Sequence, residues 1–221
     1  LHGRTAFETV LMVSTYAGFL FFYLRYREVH PKNLYPALCF GALSFYAYSP
    51  GQVIVVLTGL LLLISDARYH WKHKKTAFGG LVLILLLALP YLRFHFTHTN
   101  ELSQHLALLN SYWVRDISLV EKVFTYLVNY LKGFNPLYWF WPRPSFLEHL
   151  WSERTLPTWL FSTQLDLDRH TMKGYGHLLW VTFPFFALGF IQAVKRFKAP
   201  AYRVVILAML AAPSGAAVVD W

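Results

Sequence analysis

Six apolar segments joined by connectors constrain this sequence more than any other feature. They cover residues 6–24, 35–48, 52–65, 76–92, 176–194 and 202–219. A helix that crosses a bilayer needs about 20 predominantly apolar residues, and several of these segments are shorter. The chain is only 14% charged, against about 25% in ordinary soluble domains. We therefore predict an all-α, polytopic integral membrane protein, with two of its six segments paired as a short hairpin.

The positive charge of the chain is concentrated in three short connectors. The formal net charge is +9, and only Glu28 and Asp66 oppose the basic residues of the connectors. Those basic residues are Arg25, Arg27, Lys32, Arg68, Lys72, Lys74, Lys75, Lys195, Arg196, Lys198 and Arg203. Because basic residues beside apolar spans mark the cytoplasmic side, we expect all three connectors to lie there. Nucleic acid is excluded as a partner, since it would require a continuous basic face.

The second and third segments are separated by Ser49, Pro50 and Gly51, a strong helix-breaking sequence. If residues 35–65 formed one span, Lys32 and Lys72 would lie on opposite sides of the membrane. A hairpin puts every basic connector on one side, so we predict a hairpin. Its tip should point to the outer leaflet and lie within protein or a water-filled cavity, since a bare turn cannot face lipid.

This topology divides the chain into three parts. Residues 1–92 hold four spans, residues 93–175 form a large extracytoplasmic loop, and residues 176–221 hold two further spans. Amphipathic helices are predicted in the loop at 100–114 and at 116–131, the second with an apolar stripe of Val120, Phe124, Leu127 and Leu131. An aromatic cluster at 137–141 is typical of a membrane interface.

Two candidate sites are predicted on the outer side, one at the start of the first segment and one at the tip of the hairpin. Arg4 and Glu8 are four residues apart, so they share one face of the first helix. The pair is either a salt-bridged helix start or a cavity-facing pair that binds a polar substrate or orders a catalytic loop. Tyr48 and Gln52 flank the helix break, where polar groups within a membrane often line a site, although a plain turn with an interfacial tyrosine explains them as well.

A third candidate site precedes the fifth segment and contains two glycines among basic and aromatic residues. Its members are Arg169, His170, Lys173, Tyr175 and His177. Helix-start amides and basic side chains suit a phosphate group. Nearby Asp166 and Asp168 lie in an irregular segment that fixes no geometry for acid–base chemistry.

Three histidines near the fourth segment are candidate metal ligands. His95 and His98 are three residues apart, with His105 further along the chain. No acid or cysteine nearby completes a metal site, so we assign no metal to them. The chain begins at Leu1 and stops at Trp221 directly after an apolar run, and we expect it to be an internal piece of a longer protein.

Several of these features together resemble the membrane glycosyltransferases of the GT-C type. The resemblance is to bacterial relatives of the dolichyl-phosphate-mannose protein mannosyltransferases and of the aminoarabinose lipid A transferases. It rests on GRTAFE at residues 3–8, the basic turn at 25–27, the Tyr-Ser-Pro-Gly tip at 48–51, and RHTMKGYGHLL at 169–179 after the large outer loop.

The resemblance implies transfer of a hexose or pentose from a polyprenyl-phosphate carrier to a glycan, lipid or protein acceptor. The sugar transfer would take place on the outer face of a bacterial or archaeal cytoplasmic membrane. It implies catalytic acids upstream of Leu1, so this stretch alone should be inactive and we name no catalytic residue. It also leaves room for a divalent metal bound mainly by residues outside this stretch.

Two other functions stay open at this stage. An O-antigen ligase or polysaccharide polymerase would also use a polyprenyl-linked donor and a large outer loop. A transporter with a broken-helix site at the hairpin is the second alternative. Transporters usually show repeated halves, and no second Ser-Pro-Gly hairpin is present.

Overall fold

The computed structural model describes residues 2–98, 104, 106–107, 111–140 and 178–218, and in these ranges it contains helices and turns but no strand. The predicted all-α class is therefore confirmed for this part of the chain. The α-helices are α1 (His2–Glu28), α2 (Leu34–Ala47), α3 (Ser49–Ser65), α4 (Ala67–Lys72), α5 (Lys74–Thr97), α6 (Leu119–Lys132), α7 (Pro136–Phe140), α8 (Phe183–Lys195), α9 (Pro200–Ala211) and α10 (Pro213–Ala216). Short 3-10 helices lie at Pro31–Asn33, Tyr112–Val114 and Trp180–Thr182.

Helices α1 and α2 pack closely in antiparallel orientation. The ring of Phe40 stacks on that of Phe22 with centroids 5.3 Å apart. Nearer the other end of the pair, the Ser44 hydroxyl donates a hydrogen bond of 3.3 Å to the carbonyl of Met12. Gly18 faces the Phe40 ring so closely that an added Cβ would lie 2.5 Å from its Cδ1 atom. Glycine at this position lets the two helix backbones approach each other.

The chain reverses direction at Tyr48, as the predicted hairpin requires. Tyr48 has extended backbone angles (φ −157°, ψ 134°), and α3 starts directly after it with Pro50 in its first turn. The hydroxyls of Tyr16 and Thr58 are 2.7 Å apart, and further along both helices the Tyr23 hydroxyl donates to the carbonyl of Leu62. Helix α3 therefore runs parallel to α1. Helices α2 and α3 are therefore antiparallel to each other.

A buried cluster joins the first, second, third and ninth helices. Its members are Phe19, Tyr23, Tyr26, Leu34, Ala37, Leu62, Val204 and Leu207. The cluster is rich in aromatic residues, which bury large apolar surfaces and interact through their ring edges. It lies in the half of the bundle that is nearer to the basic connectors.

One helix in the described ranges is long and apolar enough to cross a membrane by itself, namely α5 at Lys74–Thr97. Gly80 is the one buried residue of this helix, and its other residues are half-buried or exposed. A second candidate span is a pair of helices, Trp180–Lys195 and Pro200–Ala216, which are bent by 119° relative to each other. Helix α3 is apolar but shorter than a full span.

Several helix boundaries in the structure differ from the predicted ones. The amphipathic helix expected at 116–131 begins at Leu119, because the Ser118 hydroxyl accepts a hydrogen bond of 3.2 Å from the amide of Glu121 and caps the helix. Residues 112–114 form a 3-10 turn instead of continuing an α-helix. The last segment breaks before Pro213, whose ring cannot continue the hydrogen-bond ladder.

The fifth segment was expected to become helical from residue 176. The described chain at 178–179 is not helical, and a 3-10 turn at Trp180–Thr182 precedes α8. Helix α8 begins at Phe183, with a proline in its first turn. This proline is suited to the first turn because its missing N–H would have no partner there.

Candidate functional sites at the two ends of the bundle

The hairpin tip is enclosed by the helices around it. A Cβ added at Gly51 would lie 2.9 Å from Cγ of Met12, and one added at Gly215 would lie 2.5 Å from the carbonyl oxygen of Pro50. Gly51 is buried, whereas Ser49 is exposed. The tip therefore packs between α1 and α10, and only part of it reaches the surface.

Three of the predicted site residues belong to this end of the bundle. Tyr48 and Gln52 flank the tip, and both are half-buried. Glu8 is also half-buried and lies one helical turn before Met12, which contacts the tip. The backbone of Arg4 is in the first turn of α1. Its side chain, like the 166–177 region, lies outside the described structure.

The whole of the predicted phosphate site lies outside the described residues. It includes Arg169, His170, Lys173, Tyr175 and His177, with Asp166 and Asp168 nearby. The hypothesis that these residues bind a phosphate therefore stays a prediction.

Part of the predicted outer loop packs onto the same end as the tip. The hydroxyl of Tyr112 donates to the carbonyl of Ala217, and that of Ser111 donates to Val218 at 2.6 Å. Further along the loop, Tyr130 of α6 donates to the carbonyl of Leu210 at 2.6 Å. These bonds tie residues 111–132 to the C-terminal ends of α9 and α10.

The opposite end contains a buried ion cluster that the sequence analysis did not identify. Asp66, directly after α3, has a side chain only 1% exposed. One of its oxygens pairs with Nε of Arg27 at 3.0 Å, and the other accepts a hydrogen bond from Nη2 of Arg203. Tyr23 donates a further hydrogen bond of 2.9 Å to the carboxylate. The cluster therefore joins α1, α3 and α9 at one point.

Helix α4 extends this cluster on the side of Tyr26. The Tyr26 hydroxyl and Nδ1 of His70 are 2.9 Å apart, and the two rings stack with centroids at 5.5 Å. The guanidinium of Arg27 lies over the Tyr69 ring, 3.8 Å from its centroid. Burial lowers the pKa of His70 below its ordinary value, and the nearby charge of Asp66 opposes that shift.

This cluster is suited to holding helices together, and it carries more positive than negative charge. Two guanidinium groups share one carboxylate, and the buried atoms Arg27 Nη1 and Arg203 Nε have no hydrogen-bond partner. The carboxylate is too buried to meet a substrate. The available sequence signal was the isolation of Asp66 among basic residues in its connector.

The cluster also brings the three basic connectors to one end of the bundle. Arg27 belongs to the first connector, Asp66 to the second and Arg203 to the third. This is the arrangement that the charge pattern predicted. The hairpin tip, with Glu8, Tyr48 and Gln52, lies at the other end.

Two of the candidate metal-ligating histidines, His95 and His98, contact neighbouring side chains of α5. His98 Nδ1 and the Thr97 hydroxyl are 2.8 Å apart, and His95 stacks on Tyr91. Within the described ranges, no group of three metal-ligating side chains comes together.

Comparison with known proteins adds no assignment. No protein-family model, no curated protein and no solved structure matches this chain.

Proposed function

We propose that this chain is part of a six-span membrane glycosyltransferase. It would move a sugar from a polyprenyl-phosphate carrier to an acceptor on the face opposite the basic connectors. The observation that carries this proposal is the separation of the two ends of the bundle. Polar candidates Glu8, Tyr48 and Gln52 lie at the hairpin end, where residues 111–132 also pack, while the cationic connectors lie at the other end.

The proposed reaction is direct displacement at the anomeric carbon of the sugar. A base deprotonates the acceptor hydroxyl, and the polyprenyl phosphate departs. Cationic groups stabilise the negative charge on the leaving phosphate, a role we propose for His170, Lys173 and His177. Arg4 and Glu8 are proposed to position the lipid-linked substrate. The outer loop would exclude water from the reacting groups.

The test is a transfer assay in membranes that contain the full-length protein to which this chain belongs, with radiolabelled polyprenyl-phosphate mannose and polyprenyl-phosphate aminoarabinose as donors. Glu8→Gln and Lys173→Ala should each lower the transfer rate more than roughly tenfold, because each removes a group from the proposed site. Glu28→Gln and Lys198→Ala are the matched controls at the connector end, and they should transfer at the wild-type rate.

Two outcomes would reject the proposal. If Glu8→Gln and Lys173→Ala transfer sugar as fast as the controls, the site assignment is wrong. If the wild-type protein transfers neither sugar and instead moves the intact lipid-linked donor across the bilayer, the protein is a transporter.

A further inference from the structure

Helix α4 is held firmly against the end of α1 by its inward face. The Tyr69 hydroxyl donates to the carbonyl of Tyr26 at 2.9 Å, and the two rings meet edge to face at 5.0 Å. His70 contacts the hydroxyl of the same tyrosine. With Tyr69 and His70 turned inward, the orientation of the short helix is defined.

The outward face of α4 is basic and aromatic. Arg68 and Lys72 are exposed, and Trp71 between them is 82% exposed. Positions 68, 71 and 72 are neighbours on a helix surface. The basic surface continues into α5 through Lys74 and Lys75, which are also exposed.

No carboxylate neutralises this surface from its own part of the chain. Asp66 is the only acidic residue between positions 29 and 100. Its side chain is buried and already paired with Arg27 and Arg203. No carboxylate of residues 29–100 is therefore left to pair with Arg68 and Lys72, and both exposed charges are open to an external anion.

Large exposed apolar side chains lie near this surface in the sequence, on either side of α4. Ile64 is 72% exposed and Phe78 is 68% exposed, and the exposed apolar helix α5 begins at Lys74. Tryptophan is enriched at the membrane–water interface, and basic clusters beside a span attract anionic lipids. A soluble phosphate would use the basic groups but would leave these apolar side chains uncovered.

We propose that the outward face of α4, together with Lys74 and Lys75, binds anionic phospholipid headgroups. The phosphate pairs with Arg68 and Lys72, Trp71 lies at the glycerol level, and the acyl chains lie along the start of α5. This site is distinct from the proposed sugar-transfer site at the opposite end, so either proposal can fail without the other.

The test compares two double variants that each remove one Arg and one Lys. Arg68→Gln/Lys72→Gln alters the α4 face, and Arg93→Gln/Lys132→Gln is the control away from it. The purified protein in detergent is titrated with phosphatidylglycerol or phosphatidylcholine, and bound lipid is counted by native mass spectrometry. We expect the wild type to prefer phosphatidylglycerol, and the α4 variant to bind it at least roughly tenfold more weakly. The control variant should bind as the wild type does.

Three results would overturn this proposal: equal wild-type affinity for the two lipids, equal phosphatidylglycerol affinity in the two variants, or displacement of the lipid by equimolar inorganic phosphate. The last result would identify a soluble anion as the ligand. If the α4 variant does not fold, Lys74→Gln/Lys75→Gln takes its place, with the same expected loss and the same criteria for rejection.

Discussion

At the scale of single residues, Asp66 joins parts of the chain that are distant in sequence. It hydrogen-bonds to Arg203, 137 positions away, and pairs with Arg27 of the first helix. A buried ion pair contributes little net stability compared with a well-packed apolar pair, but removing one partner leaves an uncompensated buried charge. Arg27 and Arg203 therefore depend on this one carboxylate.

We predict that Asp66→Asn destabilises the protein by about 3–5 kcal/mol, because both guanidinium groups lose their counter-charge while the side-chain volume hardly changes. The thermal unfolding midpoint in detergent measures this loss. Glu28→Gln also removes a carboxylate of the connectors, but Glu28 is exposed. It should therefore change stability by no more than about 0.5 kcal/mol. Equal midpoints for the two variants would contradict the assignment of Asp66 as a structural centre.

At the scale of helices, close backbone approach holds the hairpin and its neighbours together. Gly18 faces Phe40 between α1 and α2, and Gly215 faces the carbonyl of Pro50 between α10 and α3. The second contact is less adaptable, because a backbone atom cannot rotate away as a side chain can. Gly59 in α3 has open space around it and provides a contrast.

We predict opposite effects on stability of alanine at Gly215 and at Gly59. Gly215→Ala should destabilise the protein by about 1–3 kcal/mol, since its Cβ would force α10 away from the hairpin tip. Gly59→Ala should be neutral or stabilising by up to about 1 kcal/mol, because alanine favours helix and meets no neighbour. Unfolding midpoints measured side by side test both, and a Gly215→Ala midpoint at or above that of Gly59→Ala would show that α10 does not pack tightly on the tip.

At the scale of the whole molecule, the basic connectors lie at one end of the bundle and the hairpin tip at the other. The three basic connectors meet at the Asp66 cluster, whereas the hairpin tip and residues 111–132 lie at the other end. If the bundle is embedded in a bilayer, the positive end should face the cytoplasm.

Cysteine labelling tests this orientation after Cys39, the sole cysteine of the sequence, is replaced by alanine. In intact cells, an impermeant maleimide should label Glu121→Cys from outside. Lys75→Cys and Lys198→Cys should react only after the membrane is opened, because they lie at the connector end. Labelling of Glu121→Cys and Lys75→Cys from the same side would reject the topology.

The helical class, the reversal near Pro50, and the position of α6 to within a few residues could all be predicted from the sequence. These features depend on local chemistry. Proline and glycine break helices at their own positions, apolar periodicity defines a helix face, and Ser118 caps the helix that follows it. The grouping of the basic connectors also followed from sequence, since the charge rule acts on each connector separately.

The contacts between residues that are distant in sequence could not be predicted, because they arise only when the helices pack together. The partners of Asp66, the inward turn of Tyr69 and His70, and the packing of Gly215 on Pro50 all depend on how far each helix slides and rotates against its neighbours. That register follows from the combined packing of side chains from several helices, and no local pattern in the sequence encodes it.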